Sequence, residues 1–392
     1  MEANNYMIIN KNDIQEYIIN NITEGLIFIL EGLYMIYNIQ PGSPDKYVID
    51  NIVEHYYNHF NNLQKIYSER KIKLEKLKLL KLPDQRSPEW YEMRRDKLTA
   101  SSLAAAIGKC HFTSREELIL NKIEEQPYEE NPITEWGVKY EDIAIAFYEE
   151  MFKVKVLDFG MIPHPLFKAF GASPDGICDN NGNDEYVGRM VEIKCPPKRK
   201  FTKTVPPHYA MQVQGQLEVC DLDECDFFQV KIEEYKDFEE YSKDNFINES
   251  TLQNSWGRTA INFPKGCTLT YIKSNENKMS YLYPRLNLSD SMYQIWIEEN
   301  KTKIEKEGHK FVEAKWWFIS RYECTLVKRD KEWWINNIEH ILRFYNELNF
   351  YRKPENLIIL KEKVKNLKKK KRKTPMVELD KFLLVSSDEE DN

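Results

Sequence analysis

Gly171-Ala172-Ser173-Pro174-Asp175-Gly176, followed by Met190-Val191-Glu192-Ile193-Lys194-Cys195-Pro196, is the stretch around which this 392-residue chain can be organised. Pro174-Asp175-Gly176 is turn chemistry: proline presets φ and glycine accepts φ > 0, which puts Asp175 at an exposed bend. In the second segment successive side chains alternate, so Val191 and Ile193 share one face of a short strand while Glu192 and Lys194 share the other. Pro196-Pro197 ends that strand by removing two ladder donors. Two carboxylates and an ammonium are therefore expected to converge at the strand's end.

Phosphodiester hydrolysis asks for hard oxygen ligands for a divalent cation, a positioned water, and positive charge near the phosphate. Asp175, Glu192 and Lys194 supply these residue types. The plain alternative is a structural turn beside a solvated triplet, because Glu-x-Lys also occurs at Glu234, Glu276, Glu299 and Glu313. Those triplets lack the apolar strand context, the proline stop and the upstream Asp-Gly turn that Glu192 has.

A hydrophobic fraction of 42% and an aromatic fraction of 13% mark a globular chain, long enough for one catalytic core with extensions. No apolar run reaches membrane-spanning length, so no membrane partner is expected. The net charge of −7 excludes a protein that coats nucleic acid by bulk attraction but leaves room for local basic clusters. The 7 cysteines are scattered, with no Cys-x-x-Cys pair and no secretory leader. That usage points to a reducing intracellular compartment and away from structural zinc.

Residues 1–85 carry helical spacing, broken at Pro41-Gly42-Ser43-Pro44, and form an expected accessory helical region. Residues 86–355 form the expected core. It opens with Ser87 as N-cap and Pro88 at the first helical position of a helix that carries Arg94. Leu98-Thr99-Ala100-Ser101 then leads into a helix ended by Gly108. Its N-terminus is either a phosphate seat or a simple cap made by Thr99 or Ser101. Trp136, Tyr140, Ile143 and Phe147 form the apolar stripe of an amphipathic helix, with Glu141 on its edge. Val154–Phe159, Phe170–Cys178 and the segment ending in Lys194 read as strands, with a turn at Asn180-Asn181-Gly182-Asn183. A basic loop (Lys198, Arg199, Lys200, Lys203) and Pro206-Pro207 precede a helix on which Gln212 and Gln216 face one way and Tyr209, Val213 and Leu217 the other. Residues 236–308 are polar and poorly periodic and read as an insertion; strands resume at Trp316–Ile319 and Cys324–Lys328, before a helix beginning at Asp330. Residues 356–392 hold the basic run Lys368 to Lys373 and an acidic end, a charged tail expected to be disordered, whose basic run suits nuclear import or a DNA tether.

From Pro88 to about Asp226, and again near Cys324–Leu348, the chain resembles the YqaJ-type viral recombinase nucleases, relatives of phage lambda exonuclease in the PD-(D/E)xK superfamily. Six co-linear signals carry the resemblance: Trp90 to Arg94; Leu98-Thr99-Ala100-Ser101; Trp136-Gly137 with Glu141; Ser173-Pro174-Asp175-Gly176; Glu192-Ile193-Lys194-Cys195-Pro196; and Tyr209-Ala210-Met211-Gln212-Val213-Gln214. It implies an α/β nuclease core, a mixed central sheet flanked by helices, here with a helical N-terminal extension. It implies that Asp175 and Glu192 bind Mg²⁺, one or two ions that Mn²⁺ can replace, with the Ile193 carbonyl also available and Glu141 assisting. Lys194 would orient or deprotonate the attacking water, Gln212 would fix that lysine or water, and Arg94 with Ser101 would hold a 5′-terminal phosphate. The implied activity is hydrolysis from a 5′ end of duplex DNA in viral recombination, repair or replication, alongside a single-strand annealing protein. The rival readings are an endonuclease or nickase on the same core and a catalytically silent DNA-binding scaffold. An oligomer is compatible with the resemblance, as is a place in the cytoplasm or nucleus of an infected cell.

Overall fold

The computed structural model describes residues 44–124, 131–180, 183–198, 201, 203–248, 253–274 and 278–373. Residues 1–43 of the accessory region, Arg199 and Lys200 of the basic loop, Asn181 and Gly182 of the turn, and the acidic end lie outside the described residues. The chain divides into two units, Met1–Ile72 and Lys73–Asn392. In the first, the described residues belong to one helix, α1 (Pro44–Lys78), which starts at the proline closing the expected break and whose last turns belong to the second unit. Proline at a first helical position forfeits no hydrogen bond.

The second unit runs through α2 (Pro88–Asp96), β1 (Leu98–Thr99), a 3₁₀ turn (Ala100–Ser102), α3 (Leu103–Ala106), α4 (Arg115–Ile123) and α5 (Pro132–Phe152). Then come β2 (Val156–Leu157), β3 (Ile162–Pro163), β4 (Phe170–Ala172), β5 (Gly176–Cys178), β6 (Met190–Lys194), α6 (Pro207–Cys220) and β7 (Glu224–Glu234). The remainder is α7 (Phe238–Lys243), β8 (Phe246–Asn248), β9 (Gln253–Ser255), β10 (Lys265–Ile272), β11 (Met279–Leu282), α8 (Asp290–Lys306), β12 (Lys310–Lys328), α9 (Lys331–Tyr351) and α10 (Pro354–Lys373).

Seven strands form one mixed sheet in the order β11-β10-β12-β7-β6-β5-β2. Only β6 and β7 are parallel neighbours, and α6 supplies the crossover that a parallel pair requires. The face of the sheet that holds Val191, Ile193, Phe228, Val230, Ile232, Trp317 and Ile319 packs on Tyr140, Ile143, Ala144, Phe147 and Tyr148 of α5. Side chains one residue out of step point to the other face, towards α6, where the Tyr209 ring lies 5.5 Å from that of Phe227. The sheet is thus covered on both faces by helices, and Glu192 sits on the α6 side. A smaller three-stranded sheet, β1-β4-β3, lies beside it. Gly215 of α6 lets that helix approach closely, because a Cβ there would meet Leu103 Cδ2 at 3.0 Å and Phe170 Cζ at 3.1 Å.

Several expectations change. Segment 236–308 is not irregular: β10 joins the main sheet beside β12, and Tyr241, Cys267, Leu269, Tyr293, Ile297 and Ile304 build a second buried cluster with Tyr235 and Trp316. Polar residues inside it hide its periodicity: Lys265, Thr268 and Thr270 of β10 are buried alongside Cys267 and Leu269. Trp316–Ile319 and Cys324–Lys328 are one long strand, β12, whose register against β7 shifts between Ile319 and Arg321. The basic run 368–373 is the end of α10, which docks through Leu360 and Val364, so the start of the expected disordered tail is helical. The strand predicted over Val154–Phe159 is shorter, and Phe170–Cys178 is interrupted by the Ser173-Pro174-Asp175 turn.

Candidate active site

Asp175 lies between β4 and β5, half-buried rather than on an exposed bend. The glycine after it is needed for closeness, not for left-handed backbone: Gly176 is absent from the positive-φ residues, and a Cβ on it would collide with Val156 Cγ1. The turn is held from outside. Gln85 Nε2 reaches the Pro174 carbonyl (3.1 Å), the Phe159 carbonyl (3.0 Å) and Asp158 Oδ1 (2.9 Å), and Trp90 Nε1 donates to Ser173 Oγ at 3.0 Å. From the other side, the Ile193 N–H donates to Asp175 Oδ2 at 2.7 Å, which ties the turn to β6.

Glu192 is completely shielded, with 0% of its surface exposed. Burying an unpaired carboxylate costs several kcal/mol, so it persists only with partners. It has three: the Lys194 ammonium on Oε1, Gln212 Nε2 on the same oxygen at 2.6 Å, and Gln216 Nε2 on Oε2 at 2.7 Å. The two glutamines reach it together because they lie four residues apart on α6, on one helical face. Lys194 also sits 5.1 Å from the centre of the Tyr209 ring. Burial alone would pull the Lys194 ammonium down, but the negative charges of Glu192 and Asp175 and the hydrogen bond to Glu192 raise it above the usual lysine value. Lys194 is therefore a fixed cation against these carboxylates, suited to orienting and to charge stabilisation rather than to taking a proton. Burial, and then the charge of Glu192, drive the Asp175 carboxyl well above the ordinary range.

Glu141, on α5, is gripped by Arg86, whose Nη2 lies 3.0 Å from each of its oxygens. Its carboxyl is raised by burial, partly offset by Arg86, and it feels both Lys194 and Glu192. Among the described residues no three His, Cys, Asp or Glu side chains are grouped as a metal site. The donor set nonetheless fits Mg²⁺, a hard cation commonly held by one or two carboxylates, with water and substrate phosphate completing its shell. Two carboxylates forced together in a poorly solvated place also repel one another until a cation intervenes.

Arg94 and Ser101 come together: Arg94 Nη2 donates to Ser101 Oγ at 3.2 Å, and the guanidinium lies 4.3 Å from the centre of the Trp90 ring. Arg94 feels the charge of Asp175, so the pair borders the carboxylate site. Simple capping does not explain Thr99 or Ser101. Thr99 makes no cap bond to the 3₁₀ turn, and its hydroxyl instead bonds the Ser101 and Ser102 hydroxyls at 3.1 Å each.

Residues 89–223 match the model of the YqaJ-like viral recombinase domain, a span that contains Asp175, Glu192, Lys194, Gln212 and Arg94. Over this segment the chain is similar to the YqaJ-like viral recombinases. The YqaJ-like match stops short of β7, β10, β11 and β12, so more than half of the main sheet lies beyond it. Over 330 residues the chain is 30% identical to an uncharacterized protein of Acanthamoeba polyphaga mimivirus, covering 76% of this chain and 59% of that protein. Over 160 residues it is 26% identical to a protein of African swine fever virus, covering 34% of this chain and 46% of that protein. The chain thus spans roughly half the length of these curated relatives. Among solved structures it is similar to an alkaline exonuclease from Laribacter hongkongensis, at 21% identity and a TM-score of 0.39, over 72% of this chain and 100% of that one. So loose a superposition assigns no residues.

The site therefore gathers Glu192, Lys194 and Gln212 into one hydrogen-bonded group, with Asp175 tied to it through the Ile193 N–H. Arg94 with Ser101 lies at its border, and Glu141 is paired with Arg86. Three residues in this arrangement are not among the candidates that sequence reasoning supplies. Gln216 shares a helical face with Gln212, and that spacing is the signal available for it. Gln85 and Arg86 carry no sequence signal, since their partners are distant in the chain.

Proposed function

We propose that this chain is a Mg²⁺-dependent deoxyribonuclease that hydrolyses duplex DNA from 5′ ends during viral recombination, repair or replication inside the infected cell. The observation that carries the reading is the buried Glu192 held by Lys194, Gln212 and Gln216 beside Asp175. A structural turn has no need of so costly an arrangement, and a catalytically silent scaffold has no chemical use for two carboxylates and a cation in one place.

Asp175 and Glu192 would hold the ion, with Mn²⁺ an acceptable substitute. When bound, the ion supplies Lewis acidity at the phosphate. Lys194 remains protonated, orients the attacking water and stabilises charge developing on the phosphate oxygens. Gln212 and Gln216 hold the two oxygens of Glu192 and so fix the carboxylate that Lys194 pairs with. Glu141, held by Arg86, would act on water rather than as a direct ligand. Arg94 and Ser101 would receive a 5′-terminal phosphate, which carries roughly −1.5 to −2 charges and accepts charge-assisted hydrogen bonds.

A digest of end-labelled linear duplex beside closed circular DNA, with and without Mg²⁺, tests this reading. Metal-dependent loss of linear duplex from its 5′ ends, with circles intact, is the expected result; cutting of circles alone would make the protein an endonuclease or nickase. Matched duplexes with 5′-phosphate and 5′-hydroxyl ends test the seat. Arg94→Ala should erase the preference for phosphorylated ends and leave the cutting of hydroxyl ends nearly unchanged.

A further inference from the structure

Beyond the Arg94 seat, the structure gathers cations that the proposed chemistry does not use. Lys122 of α4 donates to the carbonyls of Arg94 (3.0 Å) and Lys97 (2.6 Å), which fixes its ammonium at the C-terminal end of α2. Arg352, in the connection from α9 to α10, reaches the same place and lies 3.6 Å from Asp96. Burial first, then the charges of Arg94 and Arg352, pull the Lys122 ammonium down to about 8. Lys122 and Arg352 face one carboxylate, Asp96, and Arg94 adds its own positive charge, so an incoming polyanion would relieve like-charge repulsion.

α10 starts from this cluster. It is anchored by buried Leu360 and Val364, by the 2.6 Å ion pair of Lys361 with Glu124 at the end of α4, and by Lys363 donating to the Tyr351 hydroxyl at 2.8 Å. Lys365, Lys368 and Lys369 are exposed, and among the described residues no carboxylate lies within ion-pair distance of them. They recur at helical spacing on one side of the rod. The 20-residue helix is about 30 Å long, the rise of roughly nine base pairs.

We propose that Arg352 and α10 form a cationic track that holds the backbone of duplex DNA as it extends from the Arg94 seat. The proposal rests on the nuclease reading for the identity of the polyanion: Arg352 lies near the start of α10 and the three lysines fall within about 6 Å of one another along its far half, and duplex DNA is the polyanion long enough to meet both. A chain of net charge −7 cannot attract DNA as a whole, so the attraction must be local. The structural alternative is that the lysines only complement the dipole at the C-terminal end of α10.

The experiment uses the full chain in chelator, so that no cleavage occurs, and measures its affinity for a blunt duplex over a range of salt. It compares the wild type with the triple variant Lys365→Gln, Lys368→Gln, Lys369→Gln and with the corresponding triple arginine variant. The glutamine triple should bind about tenfold or more weakly, with a slope of log affinity against log salt shallower by roughly 2 to 3, because each neutralised phosphate contact contributes about 0.9. The arginine triple should keep both slope and affinity, and all three proteins should melt alike. An unchanged slope in the glutamine triple, or an equal loss in the arginine triple, overturns the track. A lower melting temperature with unchanged slope assigns the lysines to the helix dipole and also overturns it. If the slope falls as expected but Mg²⁺ brings no cleavage by the wild type, the track stands and the nuclease reading fails.

Discussion

Lys194 faces two carboxylates and an aromatic ring, so its contribution should lie in the chemical step and not in holding DNA. Lys194→Ala should lower turnover at saturating DNA far more than affinity, and Lys194→Arg should not restore it, because a planar guanidinium cannot take the place of a compact ammonium between Glu192 and a water. Equal losses in affinity and turnover would move this residue to phosphate positioning. Glu192→Ala and Asp175→Asn should each abolish cleavage in Mg²⁺, but they differ in the metal-free protein. The raised Asp175 carboxyl means that the folded state binds its proton more tightly than the unfolded chain does. That favours folding at low pH, and the advantage is lost as pH rises through the ordinary carboxylate range towards the raised folded value. Asp175→Asn removes the buried charge and keeps an oxygen for the Ile193 N–H. In chelator at neutral pH it should therefore melt higher than wild type by about 2 °C, on the order of 1 kcal/mol, and the gap should close on acidification. Melting curves at several pH values check this; a gap that stays constant with pH defeats the explanation.

At the scale of elements, the site depends on two pieces meeting: the turn that carries Asp175 and the helix that carries Gln212 and Gln216. The turn is a short connection between two three-residue strands, and its fixity comes from Gln85 and Trp90. Gln85→Ala leaves the carbonyls of Pro174 and Phe159 without this donor. It should reduce turnover several-fold and lower the melting temperature, because Pro174 and Phe159 are buried and their carbonyls lose a donor. The helix depends on Gly215. Gly215→Val forces branched carbon into Leu103, Phe170 and Ala100, at a cost of about 1–3 kcal/mol, and tilts α6 away from Glu192. A Gly215→Val enzyme with wild-type turnover and stability would show that α6 has slack the packing does not display. The glutamine spacing is legible in the sequence because helical periodicity is local. Gln85 is not, because its three acceptors belong to a segment more than seventy residues away in the chain.

Across the whole second unit, β12 joins the two buried clusters. Trp317 enters the α5 side and its neighbour Trp316 the other, as adjacent residues of a strand must. β7, the parallel partner of β6, lies on one edge of β12, and β10 lies on the other. Segment 236–308 thus shares its packing with the catalytic sheet and is not an appendage. Its replacement by a short linker should leave Trp316 and one edge of β12 bare and give an aggregated or poorly cooperative protein. Circular dichroism melting of the shortened chain is the check; a sharp, wild-type transition would restore the view of an independent insertion.

By itself, the sequence determined what alternation, turn chemistry and helical spacing can determine. It predicted the strand that separates Val191 and Ile193 from Glu192 and Lys194, the turn at Asp175, the helix that pairs Gln212 with Gln216, and the capped start at Ser87. Those signals act over a few residues, so they are written in a few residues. Only the tertiary structure decided that Glu192 is wholly buried with three donors, that Arg86 pairs with Glu141, that Gln85 anchors the turn, and that β10 extends the catalytic sheet. Each of these depends on which distant segments share a volume, and a hydrogen bond or a desolvated charge between such segments leaves no periodic trace in the chain.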